Sequence, residues 1–285
     1  MKYRFLLFGF AALMAVACED SLKVPNEVVD NDAPGVVNSV NVIASRPECM
    51  SMLGLTTEDI ALNSDGLPVR LLGCEIEYLP ATKADGQVVR VKDYCYGEGD
   101  PQYDTYDLYI GANGFANKCR ETEACGEVFY WKFGYDAQAH LIHINYDGST
   151  INMSYDKSGN MVGIKARGDA DESVKLFYTA YPNYGWMPYK YNYGNFPCRG
   201  LYLTGTDVFW VFYLAGLVGI PTANVPEYII YRDDELYNGG EYYYHHHLYR
   251  DEYPNGIYVL HDEWVEADGP EWDEYEPAIE DWRTL

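Results

Sequence analysis

Positive charge is scarce in this sequence. Twenty Lys and Arg stand against 44 Asp and Glu over 285 residues, a formal net charge of −24. A chain that repels phosphate at this density is a poor partner for nucleic acid, whose binding rests on cations displacing condensed counterions. Long apolar runs are also missing. The longest, Phe5 to Val16, has twelve residues, too few to cross about 30 Å of hydrocarbon as a helix. There is no GxSxG elbow, HExxH pair, P-loop or GxGxxG after a strand, so the common signatures of hydrolase, metalloprotease and nucleotide chemistry are absent. No CxxC occurs, which disfavours thioredoxin-like redox chemistry and a zinc ribbon. What the chain has in quantity is aromatic surface: 16% Phe, Trp and Tyr, with 29 Tyr, enough apolar area to offset the entropy of ordering.

The N-terminus carries an address. Lys2 and Arg4 precede the apolar run, and Ala15-Val16-Ala17 lead into Cys18. Residues 1–17 therefore read as a signal peptide. Small residues before a Cys resemble the lipobox of bacterial lipoproteins, in which that Cys is acylated and becomes the first residue of the mature chain. Cleavage there removes Lys2 and Arg4 and no acid, taking the net charge from −24 to −26. Glu19-Asp20 resembles the surface-export signal of Bacteroidetes lipoproteins, with a periplasm-facing protein as the alternative. Residues 18–37 are polar, contain Pro25 and Pro34, and read as a tether. The expected partner is thus the outer membrane, through a lipid anchor.

Six cysteines remain after Cys18, a number compatible with three disulfides in an oxidising compartment. Cys74 and Cys95 flank the turn signal Asp85-Gly86, and Cys119 and Cys125 bracket a short acidic loop. Buried thiols packing as small hydrophobes are the other reading.

From residue 38 to 261 the pattern is that of hairpins. Turn signals at Asp65-Gly66, Asp85-Gly86, Asn113-Gly114, Ala139-His140, Ser158-Gly159, Asn238-Gly239 and Asn255-Gly256 separate segments of period two. Phe129, Trp131, Phe133 and Tyr135 share one face, as do Ile151, Met153 and Tyr155, and Val174, Leu176 and Tyr178. Tyr135-Asp136-x4-Leu141-x2-Ile144 returns after 20 residues as Tyr155-Asp156-x4-Met161-x2-Ile164. This resembles the Tyr-Asp hairpin repeats of bacterial surface and toxin-shell proteins. Such hairpins bury a face only by stacking side by side. One segment breaks the pattern: Val208 to Val218 is apolar all round, follows Thr206-Asp207 and is closed by Gly219 and Pro221, so a buried helix over 206–218 is expected. Residues 262–285 hold ten acids and one base and read as a solvated tail.

The expected fold is mainly β, a large twisted antiparallel sheet or partly closed barrel built as a hairpin meander, with one buried helix. The order of features from Tyr135 to His261, together with the lipobox, resembles a family of Bacteroidetes lipoproteins of unknown function described as having a porin-like fold. That resemblance implies a fold and no activity.

Two candidate sites follow from the residues. Tyr184, Trp186, Tyr189, Tyr191 and Tyr193 form an aromatic loop rich in Asn and Gly, suited to stacking on a glycan, with Tyr as a plain strand former as the alternative. His245 and His247 share one face of a strand. A two-residue turn at Asn255-Gly256 makes cross-strand residue numbers sum to 511, which places Glu266 opposite His245. His245, His247 and Glu266 would then offer a divalent metal two imidazoles and a carboxylate, as in a metal-dependent hydrolase. A Tyr- and His-rich strand without metal is the alternative. The reading as a whole is of a non-catalytic envelope module that binds or scaffolds, without a cofactor, whose partner is a glycan or an envelope protein.

Overall fold

The computed structural model describes residues 28–45, 56–95, 102–146, 148–167, 172–182, 208–233, 241–252 and 258–267. Among them stand fourteen strands in one sheet, ordered as they occur in the sequence, with every pairing antiparallel. They are β1 (Ile60–Leu62), β2 (Pro68–Leu71), β3 (Cys74–Thr82), β4 (Gly86–Cys95), β5 (Gln102–Ile110), β6 (Ala116–Thr122) and β7 (Val128–Tyr135). After these come β8 (Leu141–Tyr146), β9 (Ser149–Tyr155), β10 (Met161–Arg167), β11 (Glu172–Pro182), β12 (Asn224–Asp233), β13 (Glu241–Glu252) and β14 (Tyr258–Ala267). The sheet is an open meander with one helix, α1 (Val208–Leu214), against its buried face.

Five of the hairpins share one turn rather than the primed two-residue turns expected from the Asn-Gly and Asp-Gly pairs, whereas β2 meets β3 through a two-residue turn, Leu72-Gly73, with both residues left-handed (φ 52° and 87°). In each of the five, residue i donates its amide to the carbonyl of i+4, and i+3 donates back to i. The pairs are Asn63 with Leu67, Gly111 with Phe115, Glu123 with Glu127, Asp136 with His140 and Asp156 with Asn160, with N–O distances of 2.8 to 3.1 Å. Only the fourth residue is left-handed: Gly66, Gly114, Gly126, Ala139 and Gly159, at φ of 70° to 92°. This is a type I turn followed by a bulge, whose twist suits the flanking strands. At three turns the first side chain adds two bonds. Asn63 Oδ1 accepts from the amides of Asp65 and Leu67, Asp136 Oδ1 from Gln138 and His140, and Asp156 Oδ1 from Ser158 and Asn160, all at 2.8 to 3.0 Å. The Asp of each Tyr-Asp pair is thus a turn organiser.

The Tyr of each pair does separate work. Tyr135 Oη donates to the carbonyl of Ala116 at 2.6 Å and Tyr155 Oη to that of Leu141 at 3.1 Å. Tyr178 Oη reaches the carbonyl of Met161 in the same way. Each acceptor is the first residue of the preceding strand, so a buried ring ends in a satisfied hydroxyl.

Helix α1 is buried along its whole length. Phe209 stacks on Trp131 at 6.3 Å and 10°, and Phe212 meets Tyr106 edge-on at 5.5 Å. The helix ends earlier than expected, at Leu214, because Gly216 (φ 71°) terminates it before Gly219 can. Leu217 N donates to Phe212 O at 2.8 Å and Gly216 N to Tyr213 O at 2.9 Å, the paired bonds of a Schellman cap. The expected cap at Thr206-Asp207 lies outside the described residues.

The expected tether is partly docked. Val29 N donates to Tyr135 O at 2.7 Å, Gly35 N to Ile110 O at 2.9 Å, and Ile43 and Ala44 both donate to Leu214 O, at 3.0 and 2.9 Å. Asn31, 6% exposed, donates to Phe115 O and accepts from Asn113 N. Residues 28–44 therefore form a strap across one end of the hairpins to α1. At the other end of the chain β14 runs through Ala267, so the tail expected from residue 262 begins as strand. The rest of it, 268–285, lies outside the described residues.

Candidate functional surface

The two sites expected from the sequence fare differently. Tyr184, Trp186, Tyr189, Tyr191 and Tyr193 lie outside the described residues, as does Cys18. His245 and His247 stand on β13, but the β13–β14 register sums to 510, not 511. Glu266 pairs with Tyr244, His245 with Val265, His247 with Glu263 and Tyr249 with His261. One residue of slip moves every partner to the other face. Glu266 therefore leaves the face of His245 and His247, and Glu263 and His261 join it.

No disulfide joins the expected Cys119 and Cys125. Cys119 is a free thiol inside the core, Cys125 a free thiol exposed at the β6–β7 turn. Burial, reinforced by the carboxylates of Glu121 and Asp107, holds the Cys119 thiol well above its ordinary pKa. Of the expected pair Cys74 and Cys95, the side chain of Cys95 lies outside those described; the Cys74 thiol, buried on β3, donates to Asp93 Oδ1 at 3.5 Å. At the β6–β7 turn the ligand atoms of Glu123, Cys125 and Glu127 lie within 4.8 Å of one another.

Inside the sheet two polar groups are fixed. Glu121, fully buried, accepts from Trp131 Nε1 at 2.9 Å. His140 Nδ1 sits 2.9 Å from Asp136 Oδ2, and its ring stacks on Tyr155 at 4.3 Å. His143, three residues on, faces Asn152 instead, 3.0 Å from its Oδ1, so the two histidines serve different neighbours.

The solvent face of the sheet divides by charge. On β3 to β5 its cations are matched: Arg90 binds Asp107 through two bonds of 2.7 and 3.1 Å, and Lys92 binds Glu77 at 2.7 Å. On β6 to β10 they are not. The outward positions there carry Lys118, Arg120, Lys132, Lys165 and Arg167, all exposed, and no Asp or Glu. None of the five enters an ion pair found among the described residues. The register threads three of them on one line: Tyr109, Lys118, Lys132, Asn145, Thr150 and Arg167 are successive cross-strand partners. Lys118 Nζ lies 4.4 Å from the centre of the Tyr109 ring. Arg120 pairs across to Tyr130, which is 65% exposed. Sequence reasoning passed over this surface because its cations are scattered through 50 residues and only the register collects them.

The architecture defines a class: an open antiparallel hairpin meander, packed on one side by a helix and a strap, whose other side carries exposed side chains on the described strands β3 to β10. No family model matches the chain, and no curated protein matches it. Among solved structures it is similar to a porin-like protein from Bacteroides uniformis ATCC 8492, with 13% identity and a TM-score of 0.41 over 73% of this chain and 89% of that one.

Proposed function

We propose that this chain is a lipid-anchored module of the bacterial outer membrane that binds or scaffolds rather than catalyses. The observation that carries the reading is the packing: among the described residues α1 and the strap pack on one face of the sheet, and the opposite face of β3 to β10 carries its exposed side chains. The lipobox ending at Cys18 supports the anchor. Mass spectrometry of the chain produced in its bacterial host is expected to find Cys18 at the new N-terminus with an acylated thioether, and Cys18→Ala to move the protein out of the membrane fraction. An unmodified Cys18 with residues 1–17 attached would overturn the anchor. Protease treatment of intact cells then separates a surface-facing protein from a periplasm-facing one. Capture of a glycan by Tyr184, Trp186, Tyr189, Tyr191 and Tyr193 is the form this binding takes if that loop presents its rings.

A second reading is favoured by the β13–β14 register. His245, His247, His261 and Glu263 fall on one face of a single hairpin, a donor set suited to a zinc ion, and the metal-dependent hydrolase reading would be built there. Titration with Zn²⁺ is expected to show binding that His247→Ala and Glu263→Gln weaken and Glu266→Gln leaves alone. Equal loss from Glu266→Gln would sink the register argument.

A further inference from the structure

We infer that the solvent face of β6 to β10 is a docking surface for an acidic polysaccharide, laid across the strands along the line from Lys118 to Arg167. Five cations with no carboxylate among the outward described residues of these strands is the reverse of what this chain supplies elsewhere, since acids outnumber bases 44 to 20; the carboxylate at the border, Asp107 on β5 across from Arg120, is held by Arg90. The arrangement also has a cost. Lys118 and Lys132 are direct cross-strand partners, and like charges in that position destabilise a sheet. An anion seated between them removes the repulsion. Strands about 4.8 Å apart put β6 and β10 about 19 Å from each other, so the line suits a polymer with repeated charges better than a single anion. Tyr130, 65% exposed beside Arg120, borders the cations with an aromatic ring and a hydroxyl rim, matched to a hydroxylated ring ligand, while Tyr109 holds Lys118 against its own ring.

A linear polymer is favoured over an anionic bilayer by the remainder of the chain. A plane of headgroups would meet the acidic body as well as the patch. A single chain touches only the patch, whose bordering carboxylate, Asp107 across from Arg120, is already paired with Arg90. The inference deepens the binding reading above without depending on the anchor: acylation at Cys18 and saccharide capture can each fail while the other succeeds.

The test is isothermal titration of the full chain, in detergent, with alginate oligomers as the polyuronate, dextran as the neutral polymer and phosphatidylglycerol vesicles as the bilayer. Alginate is expected to bind and dextran not, with affinity falling as salt rises. The variant Lys118→Gln/Arg120→Gln/Lys132→Gln is expected to lose about tenfold or more, equivalent to about 1.4 kcal/mol. Lys83→Gln/Lys157→Gln, which neutralises two turn lysines outside the patch, is expected to change nothing. Should the triple variant not fold, Lys132→Gln alone carries the comparison, with about a threefold loss. Absence of alginate binding, equal loss in the turn variant, or binding to vesicles without binding to alginate would each overturn the inference.

Discussion

Two glycines with nearly the same backbone allow packing to be separated from conformation. Gly66 has φ 78° and nothing within 4 Å of where a Cβ would stand. Gly216 has φ 71°, and a Cβ there would lie 2.3 Å from Asn41 O, 2.4 Å from Asn41 C and 2.7 Å from Val42 N. An L-residue in the left-handed region costs about 1–2 kcal/mol. Replacing Gly by Ala also restricts the unfolded chain, which returns about 0.4–1 kcal/mol. Gly66→Ala should therefore lose about 1 kcal/mol net. Gly216→Ala carries the same term and must also push the strap off the helix end. That displacement endangers the bonds from Ile43 N and Ala44 N to Leu214 O and the burial of Val42, Ile43 and Ala44, each at most 2% exposed. Two hydrogen bonds at about 1 kcal/mol each, and partial exposure of one isoleucine at about 1–2 kcal/mol, bring the total to about 3–5 kcal/mol. Urea titration followed by tryptophan fluorescence measures both variants against the parent. A Gly216→Ala loss no greater than that of Gly66→Ala would refute the claim that the strap is seated on the helix cap.

Ala139 holds a left-handed φ of 70° where four other turns use Gly, and its side chain is only half-buried; Ala139→Gly should raise the melting temperature by about 1–2 °C, the net of relieved strain against lost entropy and methyl burial. Cys125 should react with Ellman's reagent at once and Cys119 only on unfolding. Since folding raises the Cys119 pKa, the folded state keeps a proton that the unfolded state releases above the ordinary 9.0, so stability falls as pH rises through 9 and Cys119→Ala should flatten that fall in melts from pH 8 to 10.5. Tyr155→Phe leaves the Leu141 carbonyl without its 3.1 Å donor and should cost about 1–2 kcal/mol by the same urea assay.

How far the sequence speaks depends on the range of the interaction. Alternation within a segment is local, and the faces read from Trp131, Phe133 and Tyr135 and from Ile151, Met153 and Tyr155 are the buried ones. The apolar run at Val208 is likewise a buried helix. Turn type was less legible. Asn113-Gly114 suggests two positive φ angles, yet only the glycine has one, because the i to i+4 closure needs a single left-handed residue. Ala139 shows that closure can impose this conformation on a residue that does not favour it. The strap was illegible for a different reason. Residues 28–37 look like a tether because their partners are backbone groups of Ile110, Phe115 and Tyr135, which no pattern within the segment reports.

Register decides both candidate surfaces, and it is the quantity the sequence carries least well. On β13–β14 a difference of one residue exchanges Glu266 for Glu263 and brings His261 to the histidine face. On β6 to β10, four successive registers place Lys118, Lys132 and Arg167 on one line, although Arg167 is 49 residues from Lys118 in the chain. The Tyr-Asp pairs help to hold that alignment: each Asp fixes where its turn closes, and each Tyr pins the next strand to the start of the one before. A slip at either turn would send Lys132 or Arg167 to the buried face, where an unpaired cation costs several kcal/mol. The residues that look purely architectural are therefore what keeps the cations outside and in line. Asp136→Ala should accordingly weaken alginate binding as well as stability, although it stands on a turn and outside the cationic row.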